Sequence, residues 1–321
     1  MSGRMDKVLV TGGAGFIGSN FIRHLLNETD CRVINLDKLT YAGNLRNIKD
    51  LRGNKRHRFV KGDVRNRKLA DSLVGKVDAV VNLAAESHVD RSIQSPRVFV
   101  ETNVLGTQIL LEACRRFRVR FEQISTDEVY GSRMEGSFNE TDTLGPSSPY
   151  SASKAAADLL VNAYYVTYGL DVTVTRSTNN YGPNQHPEKL IPRLITNALR
   201  GKPLPIYGSG ENVRDWIFVE DNCRAIHFVL EKGEKGQTYN IGGGNERKNI
   251  EIAAEILGHL SLPETMIEYV ADRPGHDFRY SLDCEKIHQL GWKPQVPFEK
   301  GLQRTIDWYR SNEWWWRRLV N

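Results

Sequence analysis

This chain of 321 residues contains no run of about 18 consecutive apolar residues, which excludes a membrane-spanning helix by length and hydropathy. It reaches an apolar strand by Val8 without the charged-then-apolar leader of a secretory signal. Only four cysteines occur, Cys31, Cys114, Cys223 and Cys284, and none forms a CxxC pair. That scatter excludes a disulfide framework and a clustered zinc site, so no metal is expected, and it predicts reduced thiols in a cytoplasmic protein. No internal repeat or low-complexity linker breaks the chain. Charge of neither sign dominates: the formal net charge is +5. The Lys/Arg stretch from Lys55 to Lys68 is interrupted by Phe59, Val60, Gly62 and Asp63, and it reads as a solvated loop around a strand rather than a nucleic-acid groove. A mild positive balance suits an anionic small substrate.

The first half of the chain alternates strand and helix. Apolar runs at Lys7–Thr11, Arg32–Asp37, Arg58–Lys61, Ala79–Leu83, Phe121–Ser125 and Val172–Arg176 predict strands. Helical spacing predicts helices over Gly15–Leu26, Pro96–Phe117 and Ser151–Tyr168. This pattern implies an α/β fold, with a doubly wound parallel sheet over residues 1–180. After Tyr181, prolines and glycines cluster and the elements shorten, which predicts a smaller α/β substrate domain over 181–321. A strand and helix around 215–230 are expected to return to the first domain. The chain carries Trp314, Trp315 and Trp316 in succession near its C-terminus. Three adjacent residues cannot share one helix face, and packing on the domain or on a partner subunit is expected rather than membrane contact.

Gly13-x-Gly15-x-x-Gly18 follows the first predicted strand and opens the first predicted helix. Glycines there allow a tight turn and a close approach of backbone to a pyrophosphate, and the helix N-terminus offers free N–H groups. Asp37, at the end of the next strand, is placed to accept hydrogen bonds from the adenosine ribose. Its charge repels a 2′-phosphate, so NAD is expected over NADP. Asp63 either reaches the adenine amino group or serves as a turn residue. Small residues at Leu83-Ala84-Ala85 leave room for a cofactor across the strand ends. The cofactor wall is predicted to comprise Gly12, Gly15, Phe16, Ile17, Gly18, Asp37, Asp63, Val64 and Ala84, together with Tyr150 and Lys154.

Tyr150 and Lys154 lie four apart and so stack on one helix face. A neighbouring ammonium is expected to lower the phenol pKa and make Tyr150 a base for a hydroxyl proton. With the glycine motif, the pair points to hydride transfer at a carbinol. Ser125-Thr126-Asp127-Glu128 closes another predicted strand. Two adjacent carboxyls exceed what oxidation needs. They fit one acid and one base, as in loss of water beside a carbonyl, or else a solvated acidic turn.

Taken together, several stretches resemble the extended short-chain dehydrogenase/reductase family, and within it the sugar-nucleotide 4,6-dehydratases. They are TGGAGFIGS (Thr11–Ser19), NLDKLTYAGN (Asn35–Asn44), AAESHVDRS (Ala84–Ser92), STDEVYG (Ser125–Gly131), SPYSASKA (Ser148–Ala155), NNYGP (Asn179–Pro183), PLPIYGSGENVRDW (Pro203–Trp216) and DRPGHD (Asp272–Asp277). The resemblance implies a Rossmann-type domain, a smaller substrate domain and a homodimer. It implies a nucleoside-diphosphate glucose as substrate, dTDP-glucose foremost, with no nucleic-acid or membrane partner. The implied reaction oxidises C4, removes water across C5 and C6 and returns hydride to C6. Tyr150, aided by Lys154, takes the C4 hydroxyl proton, Thr126 bonds that oxygen, Glu128 removes the C5 proton and Asp127 protonates the leaving C6 hydroxyl.

The same resemblance assigns His88, Asn180, Lys189, Leu190, Pro205, Tyr207, Arg214, Asn249 and His276 to substrate binding, with Asn180 and Arg214 on the diphosphate and Tyr207 against the base. Thr178 and Phe278 depart from the family pattern, which carries serine and a basic residue there. An epimerase or simple oxidoreductase on a similar sugar nucleotide, or a UDP-sugar dehydratase, is the alternative within the fold. A non-catalytic NAD-binding protein is the alternative outside enzymology, and it has no need of the tyrosine–lysine pair.

Overall fold

The structure is a computed structural model that describes residues 5–272 and 277–320. Among the described residues the strands are β1 (Lys7–Thr11), β2 (Arg32–Asp37), β3 (His57–Lys61), β4 (Ala79–Asn82), β5 (Arg120–Thr126), β6 (Val172–Ser177), β7 (Asn179–Tyr181), β8 (Leu204–Tyr207), β9 (Val213–Phe218), β10 (Gln237–Ile241), β11 (Glu246–Lys248) and β12 (Ile267–Val270). Seven of them pair in parallel in the order β10-β6-β5-β4-β1-β2-β3. Such strands are covered on both faces, and β1, β4 and β6 are accordingly apolar or buried almost throughout.

Helices Arg67–Val74, Gly106–Phe117 and Pro149–Tyr168 cover one face, where Val80, Leu110, Phe121 and Val161 form a core. Helices Phe16–Glu28 and Val219–Lys232 cover the other, where Phe21, Ile22, Val81 and Ile226 meet. The strand order reverses direction at β1, and β1 and β4 open the crevice in which such sheets bind ligands. The doubly wound α/β class read from the alternation is therefore the observed one.

Two expectations need correction. The strand that rejoins the large sheet is β10, beside β6, whereas β9 lies in a separate small sheet between β7 and β11. The apolar run in β9 is buried by the second core instead, through Trp216 and Phe218. Only the helix Val219–Lys232 returns, to pack on Phe16–Glu28. The helix predicted over Pro96–Phe117 is continuous but widens to a π turn over Val100–Leu105.

Helices Leu190–Leu199, Asn249–Leu260 and Phe298–Ser311 pack with the small sheets around Tyr181, Trp216, Leu302 and Ile306. Trp315 and Trp316 are buried in this second core, while Trp314 is half exposed. Among the described residues no helix is long and apolar enough to cross a membrane, and no cluster of His, Cys, Asp or Glu could hold a metal.

Candidate active site

Strand β5 ends at Thr126, and the chain turns immediately into a short helical turn, Asp127–Val129. The Thr126 hydroxyl accepts from the Glu128 N–H at 3.3 Å, which fixes the turn. The same hydroxyl donates to Asp127 Oδ1 at 3.0 Å. The strand end thus presents a hydroxyl and two carboxyls within three residues.

Tyr150 and Lys154 come from the start of the helix Pro149–Tyr168. Ser148 caps that helix: its hydroxyl accepts from the Ser151 N–H at 3.1 Å, and Ser151 Oγ accepts from the Ser148 N–H at 3.0 Å. Pro149 opens the first turn, where its missing N–H costs nothing. Loss of such a cap costs about 1 kcal/mol. The capped turn directs both side chains at the end of β5, and Lys154 Nζ donates to the Ile124 carbonyl at 2.5 Å.

Burial dominates the electrostatics. It pushes the Asp127 carboxyl up to about 8, with the Glu128 charge adding to the effect and the Thr126 hydrogen bond opposing it. It pulls Lys154 down to about 8, and Asp158, one helical turn further on, works against that by favouring the ammonium. Tyr150 is pushed well above the usual phenol value by burial, then by Glu128 and Asp127, against a hydrogen bond with Thr126. Burial and the neighbouring Glu128 and Asp127 outweigh the lowering expected from Lys154, whose ammonium is engaged by the Ile124 carbonyl.

Two cavities flank these residues. The first, about 240 Å³, is lined by Gly12, Gly15, Phe16, Ile17, Gly18, Asp37, Asp63, Val64, Ala84, Tyr150 and Lys154. Gly12 adopts φ +70°, and a Cβ there would stand 2.8 Å from the backbone of Leu83 and Ala84. A Cβ on Gly18 would meet the Gly12 carbonyl oxygen at 2.3 Å. The helix Phe16–Glu28 has no side-chain cap and no acid in its first turn, so Phe16 and Ile17 bring an uncapped helix N-terminus to the cavity. Asp37 accepts from the Ala14 N–H at 2.9 Å and the Leu39 N–H at 2.7 Å, which fixes its carboxylate against the glycine loop. These features fit a dinucleotide: backbone donors for a pyrophosphate and a carboxylate for ribose hydroxyls.

The second cavity, about 610 Å³, is lined by His88, Glu128, Lys189, Leu190, Pro205, Tyr207, Arg214 and Asn249, among others. Lys189, His186, Glu188 and Leu319 line both cavities, so the two adjoin. Thr126 and Asp127 are on the wall of neither and are buried, next in sequence to Glu128, which lines the second.

Residues 9–305 match the family described as GDP-mannose 4,6 dehydratase. The chain belongs to this 4,6-dehydratase family. It is 52% identical over 320 residues to the dTDP-glucose 4,6-dehydratase of Streptomyces niveus, covering 98% of this chain and 95% of that protein. It is 53% identical over 307 residues to the low-salt glycan biosynthesis protein Agl12 of Haloferax volcanii, covering 95% and 99%. It superimposes on the crystal structure of DesIV, a dTDP-glucose 4,6-dehydratase from Streptomyces venezuelae with NAD bound, with a TM-score of 0.96 and 52% identity over 98% of this chain and 99% of that one.

Against this dehydratase background, the substrate contacts read from sequence fare unevenly. Asn180 does not line either cavity: its Nδ2 donates to the Thr178 carbonyl at 3.0 Å, and the neighbouring Asn179 faces the second cavity instead. Successive residues of a strand face opposite ways, so in β7 only one of the two asparagines can do so. Arg214 lines the cavity, but its guanidinium also donates to the carbonyls of Val213, Phe278 and Asp277 at 2.7, 3.1 and 2.8 Å. Asp63 pairs with Arg65 at 2.8 Å and Lys38 at 2.9 Å, and these cations hold its carboxyl far below the usual range. His276 lies outside the described residues.

Sequence reasoning missed Trp315 and Leu319, which line the first cavity from the far end of the chain. The tryptophan run was the available signal, read only as packing. Gly13, the first glycine of the motif, is held by packing: a Cβ there would meet Asn35 Oδ1 at 2.3 Å.

Proposed function

We propose that this protein is an NAD-dependent 4,6-dehydratase of a nucleoside-diphosphate glucose, with dTDP-glucose as its substrate and the 4-keto-6-deoxy sugar nucleotide as its product. One observation carries the reading above the family's shared cofactor fold. Asp127 is a buried carboxyl whose Oδ2 has no hydrogen-bond partner among the described residues and which burial pushes up to about 8, next to Glu128, which faces the substrate cavity. A simple oxidoreductase has no use for that pair, whereas elimination of water needs both an acid and a base.

NAD, when bound in the first cavity, supplies an acceptor for hydride from C4 and later a donor of hydride to C6. Tyr150 takes the C4 hydroxyl proton, because the positive charge of a bound NAD+ would offset the burial and carboxyl charge that hold its phenol up, and Thr126, beside Tyr150, orients that oxygen. Lys154 holds the tyrosine side of the site against β5 through the Ile124 carbonyl. The 4-ketone acidifies the C5 proton, which Glu128 removes. Asp127 gives its proton to the C6 oxygen as water leaves.

In this reading residues 1–180 chiefly hold NAD and 181–321 chiefly hold the sugar nucleotide, with Arg214, Asn249, Lys189 and His88 facing the diphosphate and sugar, and Tyr207, Pro205 and Leu190 facing the base. Asn180 keeps its expected place near the diphosphate, supported by an Oδ1 that is buried without a hydrogen-bond partner among the described residues, and Asn179 faces the second cavity beside it. The protein works in the cytoplasm, in keeping with four cysteines that are all unbridged. It works as a homodimer, and the supporting feature is an apolar face left open on neighbouring helices by Val100, Leu105, Leu159, Val166 and Tyr168.

The test is direct. Purified protein is incubated with dTDP-glucose, and the product is sought as a 4-keto sugar nucleotide by NMR and by its alkali-dependent absorbance. Formation of that product supports the reading. Failure with every glucose nucleotide, or inversion at C4 without loss of water, overturns it.

A further inference from the structure

Trp315, close to the C-terminus, reaches the glycine loop near the N-terminus through a chain of buried hydrogen bonds. Its indole N–H donates to Asn47 Oδ1 at 2.7 Å. Asn47 Nδ2 donates to the Ala14 carbonyl at 2.8 Å. The Ala14 N–H in turn donates to Asp37 Oδ2 at 2.9 Å. Trp315 and Asn47 are each 1% exposed, so water does not compete for these bonds. Trp315 and Leu319 line the first cavity, and Leu319 with Val320 lines the second. One short segment of the second core therefore closes the wall of both cavities and ties to the two groups that face a dinucleotide's pyrophosphate and ribose.

We propose that the segment Glu313–Val320 is a clasp that retains the dinucleotide, with Trp315 and Asn47 as its positioning residues. The inference rests on the reading of the first cavity as an NAD site. A cofactor that is regenerated within each turnover gains from slow release, and a segment that walls the cavity and is hydrogen-bonded to the glycine loop resists the movement that release past it requires. Trp316 is the internal comparison: its indole donates to the Tyr309 carbonyl at 2.8 Å and so serves only the second core.

The experiment measures release of radiolabelled NAD from preloaded protein into excess unlabelled NAD, with the thermal midpoint of each variant as a second readout. Trp315→Phe and Asn47→Ala are expected to speed release about three- to tenfold, the worth of one hydrogen bond. The double variant should release no faster than the faster single, because both changes break the same link. Trp316→Phe should lower the thermal midpoint and leave release within about twofold. Should Trp315→Phe fail to fold, Leu319→Ala gives the same reading, with release several-fold faster. Unchanged release in the variants that fold, or equal acceleration by Trp316→Phe, overturns the clasp. A wild-type protein that retains no NAD fails before any variant is made, and that result overturns the cofactor reading itself.

Discussion

The Thr126 hydroxyl donates to one oxygen of Asp127 at 3.0 Å, while the other oxygen, Oδ2, is buried without a hydrogen-bond partner among the described residues. A buried carboxyl oxygen left open in this way is costly when charged and useful when protonated, because it can hand a proton to a substrate oxygen.

The two adjacent carboxyls should separate by role. Asp127→Asn should slow loss of the C6 hydroxyl about 10²–10⁴-fold, the usual cost of a general acid, while still allowing oxidation at C4. A substrate with fluoride at C6 needs the acid less and should rescue that variant. Glu128→Gln should instead block exchange of the C5 proton with solvent, and the fluoride should help it little. Rescue of Glu128→Gln but not of Asp127→Asn would mean the roles are reversed.

Asp127 also sets a pH dependence. Its folded pKa is raised to about 8 from the ordinary 3.8. The acid form is therefore present below about 8, and the dehydration step should slow as pH rises through that value. Linkage gives the matching stability effect: between the unfolded and folded values only the unfolded chain ionises there, so the stabilising contribution is complete below the unfolded pKa and is lost as pH rises towards 8. Asp127→Asn should thus be more thermostable than wild type at neutral pH, with a gain that shrinks towards pH 4. Thermal melts across that range check the sign, and an Asn variant less stable at pH 8 than at pH 4 relative to wild type would contradict it.

Glu122 makes a second stability prediction away from the site. It is wholly buried on β5, both carboxyl oxygens lack a partner among the described residues, and burial pushes its pKa well above the ordinary value. It stands opposite Thr173, whose hydroxyl is also without a partner among the described residues. Glu122→Gln removes the ionisation and should raise the melting temperature by about 2 °C for each kcal/mol gained in a chain of this length, more at pH 8 than at pH 5. Activity at the distant site should be unchanged.

The ribose contact is tested by competition. Asp37 is buried at the end of β2 and held against the glycine loop, so a 2′-phosphate would be desolvated beside a carboxylate. NADP should bind at least about tenfold more weakly than NAD, a difference of about 1.4 kcal/mol. Asp37→Asn should narrow that ratio, and equal binding by the wild-type protein would show that the ribose lies elsewhere.

Local pattern made much of this legible in sequence. The strands up to β6, the glycine loop and the stacking of Tyr150 with Lys154 follow from period, punctuation and helix geometry, and all arise within short windows. What was not legible depends on distant parts of the chain. Tyr150 is pushed up by burial and by the two carboxyl groups of the turn that follows β5, and no spacing rule reports desolvation. Asn179 rather than Asn180 faces the cavity because the orientation of the three-residue strand β7 is set by its pairing with β9. β10 (QTYNI) joins the large sheet although β9 (VRDWIF) ends in the stronger apolar run, so only tertiary packing decides between them. Trp315 meets Asn47 across 268 residues of sequence, a contact that a run of tryptophans announces without saying where it lands.

The central claim is that one site oxidises C4, eliminates water and reduces C6 of the same sugar. Turnover of dTDP-glucose carrying deuterium at C4, in ordinary water, tests all three parts at once. The account predicts that the deuterium appears in the C6 methyl group of the 4-keto product and that the C5 proton comes from solvent. Deuterium lost from the sugar, or retained at C4 with the C6 hydroxyl intact, would contradict it.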